Sequence, residues 1–145
     1  MTVVYTTIFG GSDSLKKAPS GASRCVCFVD DPSAYGGQTR GWELVPHLAL
    51  NPRREAWHLR CIPHVLFPSA TKTLWIDASF TITDLDKLWL DAGGHAISAL
   101  GHPKRHSCYA EGAAIIKLGQ ASAEDVERQL ASYRAAGFTS PTLSI

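Results

Sequence analysis

The sequence predicts an α/β sandwich built on a mainly parallel sheet. Two features point there: short continuous apolar runs that suit strands buried on both faces, and capped amphipathic segments that alternate with them. Short polar loops join the two kinds of segment, the arrangement that favours parallel strands with helical crossovers.

Taken in order, Val3 to Phe9 is β-branched and aromatic and ends in Gly10-Gly11, a strand followed by a turn. Residues 12–24 read as a surface loop. Cys25 to Val29 is a second strand, closed by Asp30-Asp31-Pro32, and its two cysteines alternate to one buried face. Trp42 to Val45 offers a third strand. Asn51-Pro52 starts a helix, with Asn as N-cap and Pro in the first turn, and Pro63 limits its length. Thr73 to Ile76 is the fourth strand and runs into Asp77-Ala78-Ser79. Asp84 caps a short helix that ends near Gly93-Gly94, and Ala96 to Leu100 is expected as a fifth strand. Ser107 to Leu118 is helical. Ser122 with Asp125 opens the last helix, which carries Val126, Leu130 and Tyr133 on one face, a Glu124–Arg128 pair, and Gly137 as its stop. No structure is expected for Thr139 to Ile145.

With 145 residues the chain is expected to form one domain, 1–145. Fourteen Lys and Arg against thirteen Asp and Glu give a net charge of +1, which argues against general nucleic-acid binding and against a polybasic membrane surface. No apolar stretch approaches the roughly 20 residues of a membrane helix. Met1 to Gly11 lacks the basic segment of a signal peptide, and four cysteines without one suggest reduced thiols, so a cytoplasmic protein is expected.

Three clusters can do chemistry. Asp77, at the end of a buried strand with Ser79 two residues on, can hold a hard divalent ion through oxygen; equally, it can cap the turn that follows. His102 to Glu111 compresses two His, Lys104, Arg105, Cys108, Tyr109 and Glu111 into ten residues. It reads as an anion pocket beside a helix start or as a solvated loop. A zinc site from His102, His106 and Cys108, with Cys61 or His64, is a further reading, without Cys-x-x-Cys support. The helix from Arg53 carries Arg53, Trp57 and Arg60 on one face and Arg54 with His58 on another, either to clamp phosphate or to meet solvent. Neither a P-loop nor Gly-x-Gly-x-x-Gly, Gly-x-Ser-x-Gly or His-Glu-x-x-His occurs.

Several blocks, in this order, resemble one family. They are Val4-Tyr5-Thr6-Thr7-Ile8-Phe9-Gly10-Gly11, Cys27-Phe28-Val29-Asp30-Asp31, Trp42-Glu43-Leu44-Val45, and Arg53-Arg54 with Arg60-Cys61-Ile62-Pro63-His64. Leu74-Trp75-Ile76-Asp77-Ala78-Ser79, His102-Pro103 through Arg105, Cys108-Tyr109, Glu111, Gln129, Tyr133 and Gly137-Phe138 continue the match. The chain thereby resembles the TOD/MUCI glycosyltransferase-like domain family, which is similar to GT-A-type glycosyltransferases. That resemblance implies a Rossmann-like three-layer sandwich with a mainly parallel, mixed sheet flanked by helices. It implies that Thr6, Thr7, Phe9 and Asp30 line the nucleoside end of a UDP-sugar-like donor, and that Arg60 faces the diphosphate. Asp77 and Ser79 stand at the Asp-x-Asp metal motif, with Ser79 in place of the second acid, which implies weakened Mn2+ or Mg2+ binding. His102, Arg105 and Glu111 match a later polar block; His102 is taken as donor-binding, and Asp77, Arg105 and Glu111 as the catalytic candidates.

Relatives continue past the Gly-Phe that is Gly137-Phe138 here, so the chain is expected to be a minimal version, a fragment, or one completed by a partner chain or a second copy. The expected function is metal-assisted transfer of a sugar from a nucleotide-diphosphate donor, UDP-linked, to an acceptor the sequence does not name. The alternatives are a non-catalytic nucleotide- or sugar-binding module and, further off, a zinc-dependent hydrolase.

Overall fold

The computed structural model describes residues 1–11, 13–99, 104–105 and 107–138. They belong to two compact units, residues 1–93 and 94–145. The first unit is built on strands β1 (Thr2–Ile8), β2 (Arg24–Val29), β3 (Glu43–Pro46) and β4 (Lys72–Trp75). Its helices are α1 (Pro52–Cys61), α2 (Pro63–Leu66) and α3 (Leu85–Asp91), with a 3-10 turn at Pro32–Tyr35. In the second unit, α4 (Cys108–Lys117) and α5 (Ala123–Ala135) pair as a helical hairpin.

The sheet order is β3-β2-β1-β4, and all three pairings are parallel. No antiparallel strand joins it among the described residues, so the sheet is more regular than the mixed one expected. β1 lies second from one edge and is buried on both faces from Val3 to Phe9. Alternate residues therefore serve two separate cores. Val4, Ile8, Cys27 and Val29 pack with Leu15, Trp42, Ala78 and Leu85 of α3 on one face. Val3, Tyr5, Phe9, Val26 and Phe28 pack with Leu59 of α1 and Phe67 on the other. Helices thus cover both faces, giving the α/β character expected of a GT-A-like fold.

Local chemistry places the elements. Asn51 Oδ1 accepts the Arg54 amide at 3.1 Å, and Pro52 opens α1. Asp84 Oδ1 accepts the Lys87 amide at 2.8 Å to start α3. Ser107 and Ser122 accept the amides of Ala110 and Asp125, both at 3.1 Å, to start α4 and α5. Trp42, expected within the third strand, instead precedes it: the buried indole donates to the Lys16 carbonyl at 2.9 Å and pins the loop before β2. The Ala18 amide bonds the Arg40 carbonyl at 2.9 Å, and Gly41 at φ +90° passes so close that a Cβ there would lie 3.1 Å from Ala18 Cβ.

Two expectations are corrected. Ala96 to Ala99 do not form a strand, and Leu100 lies outside the described residues. Two alanines and a serine offer little β-propensity, and Ile97 is 90% exposed, so nothing drives the segment into a sheet. Arg128 pairs with Asp125 rather than Glu124, because Asp125 is already held at the helix start by Ser122. The tail from Thr139 lies outside the described residues.

Candidate functional site at the carboxyl end of the sheet

In open α/β sheets ligands bind outside the carboxyl ends of the strands, where the strand order reverses. Here the chain leaves β1 toward β2 and β3, then returns to the other side of β1 as β4. The reversal lies between β1 and β4, and Thr6, Ile8, Ile76 and Ala78 line a small recess there. Leu15, Lys16, Trp42 and Phe80 complete its wall.

Thr6 is 1% exposed, and its Oγ1 has no hydrogen-bond partner among the described residues. Leaving a buried hydroxyl unpaired costs on the order of 1–3 kcal/mol, so such an atom is a signal rather than a detail. Lys16 follows Leu15 in the same wall, and Phe80 stands 64% exposed at the recess. The sequence reading passed over Lys16 because it sits in a polar loop; the Trp42 bond to its own carbonyl is what brings it to the site.

Thr7 and Phe9 belong to the opposite face of β1, by strand alternation. Phe9 is buried, with its ring 5.6 Å from that of His47. Asp30 ends β2 in the open, and its Oδ2 accepts the Gly10 amide at 2.5 Å. It therefore ties the turn after β1 to the turn after β2. Next to it, Asp31 accepts both the amide and the hydroxyl of Ser33, and these bonds hold its carboxyl below the usual value.

Asp77 follows β4 and is exposed. Its Oδ1 accepts the Ser79 amide at 3.1 Å and the Ser79 hydroxyl at 2.9 Å, and its carbonyl accepts the Phe80 amide at 3.0 Å. The turn-capping role is thus real. It engages one carboxylate oxygen, and Oδ2 has no hydrogen bond among the described residues. Among those residues no group of three His, Cys, Asp or Glu converges as a metal site. Asp77 and Ser79 fit an ion of the magnesium or manganese type only as a minor part of its shell, one carboxylate with the remaining ligands drawn from diphosphate and water.

The structure places Arg60 apart from these residues. α1 begins beside Gly10, with Pro52 Cγ 3.8 Å from where a Cβ on that glycine would be. Eight residues further on, Arg60 is roughly 12 Å along the helix. Its carbonyl accepts the Tyr5 hydroxyl at 3.0 Å, level with mid-strand, and its guanidinium lies 4.9 Å above the exposed Trp57 ring. Arg53 and Arg54 occupy the first turn of α1, the end nearer the strand termini.

In the second unit Arg105 donates to both Glu111 oxygens, so these two candidates are each other's partners. Glu111 lies in the first turn of α4, just past the Ser107 cap. His102, and His106 of the zinc reading, lie outside the described residues.

One residue at the strand ends escaped the sequence reading altogether. His47 follows β3, its amide bonds the Val29 carbonyl at 2.8 Å, and its Nε2 lies 3.4 Å from Glu55 Oε2. A single histidine after a proline, with its acid eight residues away in the next helix, has no pattern to announce it.

No curated protein and no solved structure gives a match to this chain. Residues 43–143 match a family described as TOD1/MUCI70, glycosyltransferase-like domain. The match runs from the start of β3 and takes in Arg60, Asp77, Ser79, His102, Arg105 and Glu111, while Thr6, Thr7, Phe9 and Asp30 precede it. With most of its length matched, the chain belongs to the TOD1/MUCI70 glycosyltransferase-like domain family.

Proposed function

We propose that the protein is a glycosyltransferase that holds a nucleotide-diphosphate sugar, UDP-linked, at the carboxyl ends of β1, β2 and β4 and passes the sugar to an acceptor. The observation that carries this reading is the unpaired, buried Thr6 hydroxyl in the recess at the reversal of strand order, with Asp77 at the end of the neighbouring strand. A polar donor group entering the recess would satisfy Thr6 Oγ1, and the exposed Phe80 ring offers a face for stacking. Lys16, which lines the recess, would balance negative charge on the bound donor. Asp77 Oδ2 is the atom that would hold Mn2+ or Mg2+; such an ion, when bound, supplies Lewis-acid stabilisation of the departing diphosphate. Arg105 and Glu111, tied to each other, are the catalytic candidates of the second unit. The four free thiols accord with a reducing compartment, and we place the protein in the cytoplasm.

Thermal unfolding against UDP-, GDP-, ADP- and CDP-sugars, with and without Mn2+, tests the proposal. A donor present at about 100 times its dissociation constant should add about 2.7 kcal/mol of apparent stability. The expected result is a Mn2+-dependent rise with the UDP class, diminished in Thr6→Val and abolished in Asp77→Asn. No rise with any donor would overturn the reading. A rise without turnover of the donor would leave a binding module in its place.

A further inference from the structure

We propose that His47 and Glu55 form a proton-transfer pair for the acceptor, with His47 as the base and Glu55 as its positioning residue. The inference rests on the glycosyltransferase reading and deepens it.

Register puts His47 at the working end of the sheet. Ile8 pairs with Val29 and Val29 with Pro46, so His47 stands one residue past that row, level with Phe9 and Asp30. Its backbone is fixed by the bond to Val29, and its ring is fixed by Phe9 at 5.6 Å and Phe28 at 6.2 Å. Of the histidines described, His47 is half-buried, while His58, His64 and His95 are exposed.

The carboxylate of Glu55 accepts and cannot donate, so the shared hydrogen sits on His47 Nε2. In the neutral ring that choice leaves a lone pair on Nδ1, which has no hydrogen-bond partner among the described residues. A neutral imidazole with one nitrogen held by a carboxylate and the other open is the arrangement of a general base whose partner orients it and stabilises its protonated form.

In the proposed step His47 Nδ1 takes the hydroxyl proton as the acceptor oxygen bonds to the anomeric carbon. The bond from that carbon to the diphosphate oxygen breaks, and its electron pair leaves with the diphosphate. A single displacement of this kind inverts the anomeric configuration. β3 and β4 are three strand spacings apart, roughly 14 Å, and His47 packs on the Phe9 face of the sheet, opposite the Thr6 recess, so the donor would have to lie across the strand ends for its anomeric carbon to meet an acceptor at His47.

The experiment uses the full chain with UDP-, GDP-, ADP- and CDP-glucose and Mn2+, water as acceptor, reading both thermal stabilisation and nucleotide release. His47→Ala should keep the donor-induced stabilisation, lose roughly a hundredfold in turnover, and recover part of it with added imidazole. His47→Phe, which keeps a ring between Phe9 and Phe28, should fold, bind donor and not recover. Glu55→Gln should lose less than His47→Ala. Turnover at the wild-type rate in His47→Phe would overturn the pair and leave the glycosyltransferase reading standing. A wild-type chain stabilised by donor but releasing no nucleotide would overturn the pair together with transfer, and leave a binding module. Absence of stabilisation by every donor would overturn that reading and the pair with it.

Discussion

Cys27 and Tyr5 lie in the middle of the sheet with almost no exposure, and burial pushes the thiol from 9.0 and the phenol from 10.0 up to about 12 each. In the unfolded chain these groups lose their protons at the ordinary values, whereas the fold keeps them neutral. Between about pH 9 and 12 the unfolded state therefore binds fewer protons, and stability falls as pH rises. Urea midpoints measured from pH 7 to 11 should drop steeply above 9, and Cys27→Ala should flatten the drop while lowering the plateau. Thr6→Val swaps the unpaired hydroxyl for a methyl of the same shape, so the free protein should be unchanged or up to about 1 kcal/mol more stable by urea titration. At this scale the sequence was partly readable. Asp77 was recognisable at the end of its strand, and its turn-capping role is seen, through Oδ1 alone. The unpaired state of Thr6 was hidden, since it depends on residues 15, 16, 42, 76, 78 and 80 meeting around it.

The caps show why the helices were legible: Asn51, Asp84, Ser107 and Ser122 each act on an amide three residues ahead, a relation written in local order. Asn51→Ala should accordingly cost about 1 kcal/mol in thermal or urea unfolding. Packing between elements is not written locally, and Gly112 illustrates it. A Cβ on Gly112 of α4 would lie 2.8 Å from Leu130 Cδ1 and 3.1 Å from Val126 Cγ1 of α5. Gly112→Ala asks the end of the Leu130 side chain to move and the Val126 methyl to give by a few tenths of an ångström, against a gain in helix propensity, so it should be close to neutral. Gly112→Val should separate the helices and cost about 1–3 kcal/mol, read as a lower melting temperature. Arg60 lies away from the strand ends for a related reason. Its helix spacing was correct, as the Trp57 stack shows, but which end of α1 meets Gly10 is a property of the crossover.

The core is divided unequally between the two units. Among the described residues, the fully packed side chains of both sheet faces belong to residues 1–93, and the second unit contributes Val126 and the close approach at Gly112. Residues 1–93 expressed alone should unfold cooperatively in urea, whereas residues 94–145 alone should show no cooperative transition. An α/β class was readable from apolar runs and caps; the strand order was not, because it is fixed by contacts such as the Thr71 amide on the Met1 carbonyl, 70 residues away in sequence. That parallel closure has a kinetic side. During synthesis β1 acquires β2 early, but its other edge stays open until β4 emerges some 70 residues later, roughly 4 to 14 seconds at ordinary elongation rates. An apolar strand with one bare edge is an invitation to aggregate, so the speed of the ribosome and the presence of a chaperone govern the yield of folded protein more than any contact in the finished sheet.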